Sequence, residues 1–192
     1  DSNFNRQLFA IEEFRGRPKI EAAAARLRAI EPGIELDLHN EFFHAATAER
    51  LLTGSDLVLD AIDSVTPKTL LVRAAVERRL PIVSVMGAAN KFDATRVTIT
   101  DLSATHTCPL ARQLRIRLNK YGFGRGIRCV FSPERPRPLY AEGPSGETEY
   151  YQRGRRRTAL GSVSYMVAVF GNVAAGEVLR QLRGAPEDEG RE

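Results

Sequence analysis

Asp56-Leu57-Val58-Leu59-Asp60-Ala61-Ile62-Asp63-Ser64 is the stretch that decides the fold. Asp56 to Ala61 reads as a buried strand, a short aliphatic run closed by a turn bearing carboxylates and a hydroxyl. A helix is predicted next, from about Thr66 to Arg79. A second apolar strand, Pro81 to Met86, follows it. Strands alternating with helices argue for a parallel sheet covered on both faces. In open α/β sheets, ligands bind outside the carboxyl ends of the strands. Asp63 falls at such an end. A carboxylate there can bind magnesium, which takes one or two carboxylates together with phosphate oxygens. The competing reading is that Asp63 or Ser64 caps the following helix.

Upstream of that stretch, Pro18 opens a helix running from Lys19 to about Ile30, since proline is well tolerated in a first helical turn. Pro32-Gly33 ends it. Ile34 to Leu38 alternates as a short strand, and Ala45 to Leu52 reads as a short helix. Downstream, Arg96 to Thr100 alternates like a strand. Pro109 to Lys120 is an amphipathic basic helix, with Leu110, Leu114 and Leu118 at i, i+4 and i+8. Ile127 to Phe131 is a further strand, and residues 133–157 read as a long loop rich in Pro, Gly and Arg. Loops longer than about 15 residues are usually functional or disordered. Ala159 to Leu182 is a long apolar helix, and a charged tail follows.

That last helix raises the question of a membrane. A span needs roughly 20 apolar residues, but this segment includes Ser162, Ser164, Asn172 and three glycines, and Glu177 ends the uncharged run. A buried or dimer-interface helix is the expectation, with membrane contact the weaker alternative.

The 192 residues suit one domain, and a hydrophobic fraction of 43% is enough for a core. The two cysteines, Cys108 and Cys129, form no CxxC pair, which argues against a disulfide framework or a four-cysteine zinc site. A reducing cytoplasmic setting without zinc is therefore expected. Cys129, on a predicted strand, reads as a buried inert thiol, because reactivity needs an exposed, electropositive setting. The chain starts Asp1-Ser2-Asn3 without methionine, so an N-terminal truncation is expected.

The net charge of +4 is modest, but arginine outnumbers lysine and clusters at Arg153, Arg155, Arg156 and Arg157, with Arg135 and Arg137 nearby. Guanidinium forks bond phosphate oxygens bidentately; the plainer reading is a solvated loop. Asn3-Phe4-Asn5-Arg6-Gln7 packs amide and guanidinium donors into five residues and could grip phosphates or form a polar turn. Lys19 opens a helix, where free N–H groups and the dipole attract anions, or it is an ordinary surface lysine. Gly87-Ala88-Ala89 after a strand allows close approach of a ligand or of a neighbouring backbone.

Taken together and in order, these stretches resemble the ThiF/MoeB/HesA superfamily of adenylyltransferases, relatives of the ubiquitin-activating E1 enzymes. The likeness is strongest to its tRNA threonylcarbamoyladenosine dehydratase branch. It rests on Ser2 to Gln7, Pro18-Lys19-Ile20-Glu21, Leu59 to Ser64, Pro67-Lys68 and Cys129-Val130-Phe131-Ser132-Pro133-Glu134, with Leu160-Gly161-Ser162 and Phe170-Gly171 in support. The resemblance implies a Rossmann-like α/β fold with a mixed sheet, and a homodimer. It implies that residues 1–90 are the remainder of a nucleotide-binding half and that 91–192 form a substrate and dimer half.

The implied activity is ATP- and magnesium-dependent. A carboxylate, that of threonylcarbamoyladenosine in tRNA, is activated as its acyl-adenylate and then cyclises with loss of AMP. By the same resemblance Arg6 and Lys19 contact the ATP phosphates with Asn3 and Asn5 alongside. Asp63 holds magnesium, Ser64 lines the nucleotide pocket, and Arg153, Arg155, Arg156 and Arg157 contact tRNA, with the basic helix 109–120 beside them. The family's glycine-rich phosphate loop and acidic ribose ligand are expected upstream of Asp1, so the first βαβ unit is expected to be lacking. Gly122-Phe123-Gly124-Arg125-Gly126 has neither the spacing nor the strand-to-helix context to replace that loop. The absence of zinc CxxC pairs favours the dehydratase branch. The alternatives are an adenylyltransferase for the terminal Gly-Gly of a sulfur-carrier protein, or an inactive truncated interaction module.

Overall fold

Four strands make the central sheet: β1 (Val58–Asp60), β2 (Ile82–Val85), β3 (Thr98–Asp101) and β4 (Arg128–Phe131), in the order β1-β2-β4-β3. They belong to a computed structural model that describes residues 4–137, 149–152, 155–158 and 161–184. β1, β2 and β4 run parallel, and β3 pairs antiparallel with β4, so the sheet is mixed. The register sets Asp60 beside Ser84, and Ser84 beside Cys129.

Alternation along the strands sorts the core into two layers. Ile82, Cys129 and Phe131 face α3 (Val65–Glu77) and α4 (Pro109–Asn119), whose Leu71, Val72, Ala75, Leu114 and Leu118 are buried against them. Val83 and Val130 face the other way, onto α5 (Ser164–Leu182). α5 buries Met166, Phe170, Ala174 and Glu177, spaced i, i+4, i+8 and i+11 along one stripe. The last helix of the sequence is therefore a core helix, and no helix among the described residues is long and apolar enough to cross a membrane. α1 (Lys19–Ile30) begins after Pro18 and ends at Glu31, and α2 (Ala48–Leu52) extends a short 3-10 turn.

Two expectations are corrected. Ile34 and Leu36 are half-buried between exposed neighbours, but Leu38 is exposed and the segment belongs to no strand. Period two marks a half-buried segment, but a strand also needs a ladder partner, and none pairs with it among the described residues. The long loop of 133–157 contains an antiparallel hairpin, β5 (Glu149–Gln152) paired with β6 (Arg155–Thr158). Charge and aromatic content masked that pairing. Residues 138–148 and 153–154 of the same stretch lie outside the described residues. The boundary expected at residue 90 falls between β2 and β3, and one sheet joins both sides.

Candidate functional site

β1 ends at Asp60, a fully buried carboxylate. Its Oδ2 accepts from Lys68 Nζ at 2.7 Å and from Ser84 Oγ at 2.6 Å, and its Oδ1 accepts from the Ile62 N–H at 3.0 Å. Lys68, one turn into α3 and equally buried, also donates to the Ile62 carbonyl at 3.1 Å and the Val85 carbonyl at 2.8 Å. Three acceptors match the three ammonium protons. Two charges can sit this deep because each is bonded on every side. Both positions lie in stretches that carry the family resemblance, but their pairing was not expected from the sequence. The signal was present: Lys68, Leu71, Val72 and Ala75 fall at i, i+3, i+4 and i+7, so the lysine lies on the buried face of its helix.

Asp63 follows on the turn above the pair and is exposed. Its Oδ1 accepts from Ser64 Oγ at a long 3.3 Å. Ser64 occupies the capping position of α3 but makes no side-chain hydrogen bond to the helix backbone. The capping alternative is thereby set aside for Ser64, and the Asp63 carboxylate stands open at the strand end. Among the described residues no group of three or more His, Cys, Asp or Glu side chains converges as a metal site, so metal chemistry here would rest on Asp63 with oxygens from a ligand.

A second set of contacts gathers the loops after β2 and β4. The Asn90 N–H donates to the Gly161 carbonyl at 2.8 Å, and its carbonyl accepts from the Arg137 N–H at 2.7 Å. Asn90 takes a φ of 58°, in the left-handed region that asparagine tolerates better than most residues. Glu134 accepts from the Phe92 and Asp93 N–H groups, each at 2.9 Å. Tyr165 at the start of α5 donates to the Phe92 carbonyl at 2.7 Å. Below them the buried Lys91 ammonium donates to the Ser132 carbonyl. Burial pushes its pKa down, while the nearby Cys108 and Glu134 oppose that. Neither Lys91 nor Glu134 was singled out for a site from sequence.

The N-terminal donor loop docks on this cluster. Asn5 Nδ2 donates to the Ser162 carbonyl at 3.1 Å, and Arg6 Nη1 donates to Asn5 Oδ1 at 3.0 Å. Asn3 lies outside the described residues. Lys19 is the first residue of α1, exposed, on a cleft shared with Phe4, Gln7 and Phe14. Pro18, the residue before it, offers no side-chain cap to the helix. The structure thus brings Asn5 and Arg6 together, and Asp63 and Ser64 together. No hydrogen bond or ion pair among the described residues joins Lys19 to Asp63.

Cys129 is buried on β4, and burial pushes its thiol up to about 12. That is the inert cysteine its strand position predicts. Of the basic groups, Arg155, Arg156 and Arg157 lie on β6 opposite Gln152, Tyr151 and Tyr150, while Arg153 lies outside the described residues. On α4, Arg117 donates to Thr66 Oγ1 at 2.8 Å and Arg115 to the Thr105 carbonyl at 2.6 Å. Arg112 and Lys120 of the same segment are exposed.

Comparison with known proteins bears on this geometry. The model of the ThiF family matches residues 1–191. A tRNA threonylcarbamoyladenosine dehydratase of Bacillus subtilis is 40% identical over 136 residues, covering 70% of this chain and 54% of that protein. Crystal structures of the Escherichia coli tRNA N6-threonylcarbamoyladenosine dehydratase, one in complex with AMP and one with ATP, match with TM-scores of 0.81 at 31% and 30% identity. They cover 95% of this chain and 71% of theirs. The chain spans about half the length of the Bacillus relative.

Proposed function

The chain belongs to the ThiF family, and from that premise we propose that it works as an ATP-dependent dehydratase converting threonylcarbamoyladenosine in tRNA to its cyclic form. The observation that carries the reading is the open carboxylate of Asp63 just beyond the carboxyl end of β1, a strand that buries Val58 and Asp60 and exposes Leu59. Ligands of open α/β sheets bind there, and the most similar relatives named above are dehydratases of this kind, one of them solved with ATP.

Asp63 fits magnesium. It is an exposed carboxylate with one weak neighbour among the described residues, and magnesium takes one or two carboxylates beside phosphate oxygens. Ser64 lines the nucleotide pocket. Lys19 and Arg6 neutralise phosphate charge, with Asn3 and Asn5 alongside. Fixed cations around a departing pyrophosphate stabilise charge that develops in the transition state. ATP with its magnesium supplies the activation of the substrate carboxyl. The ring closure that follows is intramolecular, and holding the reacting groups together contributes on the order of 7 kcal/mol or more in favourable cases. No protein nucleophile is required, in keeping with a Cys129 thiol held at about 12. Residues 1–90 serve the nucleotide, and residues 91–192 serve the tRNA and a homodimer contact, in the cytoplasm.

The test is ATP–pyrophosphate exchange by the full-length protein, with modified tRNA or a Gly-Gly-ended carrier protein as the acceptor. Exchange driven by the tRNA, and reduced about 100-fold or more by Lys19→Ala or Asp63→Asn, is the expected result. Exchange driven by the carrier protein alone overturns the reading.

A further inference from the structure

Ile62 is the residue immediately before Asp63, and the buried pair holds it by both backbone polar groups. Its N–H donates to Asp60 Oδ1 at 3.0 Å, and its carbonyl accepts from Lys68 Nζ at 3.1 Å. The same ammonium reaches the Val85 carbonyl at 2.8 Å at the end of β2, and Ser84 Oγ braces Asp60 from the neighbouring strand at 2.6 Å. One side chain from the helix therefore ties together the ends of two parallel strands and the turn that leads to Asp63. Among the described residues Asp63 has no comparable anchor of its own, since its side chain meets only Ser64 Oγ there, at 3.3 Å.

We infer that Asp60 and Lys68 are positioning residues that set the Asp63 carboxylate at the height where it meets magnesium, and that Ser84 tunes them. A buried ion pair is weak support for stability, because well-packed apolar residues often replace one at no cost. A pair that clamps both backbone polar groups of one residue has a geometric result that apolar packing cannot reproduce. The proposal rests on the reading of Asp63 as the magnesium ligand, and the variants below separate the two.

The experiment measures ATP binding by the full-length protein with and without magnesium, together with the thermal midpoint. The variants are a triple (Asp60→Leu, Lys68→Met, Ser84→Ala), Asp63→Asn, their combination, and Ser84→Ala alone. The triple removes the charges and also the hydroxyl that would otherwise lose its acceptor. The triple is expected to keep magnesium-free ATP affinity within about 2-fold while raising the magnesium half-saturation about 10-fold. Asp63→Asn raises it at least as much, and the combination adds little further, the non-additivity of residues acting through one another. A folded triple with unchanged magnesium half-saturation overturns the positioning role. If Asp63→Asn itself leaves magnesium dependence unchanged, the Asp63 reading fails and the inference falls with it. Should the triple not fold, Ser84→Ala decides alone: a rise of about 2-fold or more supports the inference, and no change overturns it.

Discussion

At the scale of single residues, burial decides which groups are chemically available. Cys129 is fully buried with its thiol pushed up to about 12, and Cys108 is buried as well. Iodoacetamide at pH 8 is expected to leave Cys129 unmodified in the native protein and to label it after unfolding, which mass spectrometry of the peptide reads directly. Rapid native labelling contradicts the assignment. Cys129 was legible in the sequence because an apolar strand context predicts an inert thiol. Asp63 was legible too, as the carboxylate at a strand end. Lys68 was not, since a charged residue near a helix start ordinarily marks a solvated face. Only its spacing to Leu71, Val72 and Ala75 betrays that the ammonium points inward, and the acceptors that make this tolerable come from β1 and β2, whose approach no local pattern encodes.

At the scale of elements, α5 is held to the sheet by more than its apolar stripe. Glu177 on α5, 3% exposed, receives Arg180 at 2.8 Å, Gln181 at 2.8 Å and Arg128 of β4 at 3.1 Å. The bonds from Arg180 lead in lowering its pKa to about 2, with Gln181 and Arg128 adding to them against the opposing effect of burial. The folded value lies below the unfolded one. The stabilisation is therefore fully present above about pH 4.5 and is lost as pH falls toward 2, an effect on the order of 3 kcal/mol. Glu177→Gln is expected to lower the thermal midpoint at pH 7 and to flatten the acid limb between pH 4.5 and 2; parallel acid limbs in the two proteins contradict this. Phe170→Ala removes the bulkiest side chain of the same stripe and is expected to cost about 3–5 kcal/mol in denaturant unfolding. Helix positions were well marked in the sequence because period and punctuation agree at Pro18, Pro32-Gly33 and Pro109. Ile34 to Leu38 and the β5–β6 hairpin were misread because strands are defined by partners, and partners are non-local.

At the scale of the whole molecule, the basic groups fall on two separate sets of elements. Arg115 and Arg117 lie on α4, where they bond within the fold, and Arg155, Arg156 and Arg157 lie consecutively on β6, in a two-stranded sheet with β5. Under the proposed function, charge reversal at Arg155, Arg156 and Arg157 weakens tRNA binding and reduces the slope of log affinity against log salt by about 2 to 3, one phosphate per arginine. Filter binding across a salt series checks it, and an unchanged slope removes these residues from the interface. The two-faced sheet was legible from strand–helix alternation, while the meeting of the loops after β2 and β4 with the first residues of α5 was not. It depends on Asn90 turning back at a φ of 58° and on Glu134 reaching two N–H groups more than 40 residues distant.

The bond from Asn5 to the Ser162 carbonyl joins positions 157 residues apart. Contacts so distant along the chain close late, after a large loss of loop entropy. On the ribosome the order is stricter still. Arg6 is made well before residue 162, and its neighbour's docking point does not exist until that residue has been added. The donor loop therefore emerges from the exit tunnel long before its partner does, and its final geometry is set only once α5 closes over the sheet.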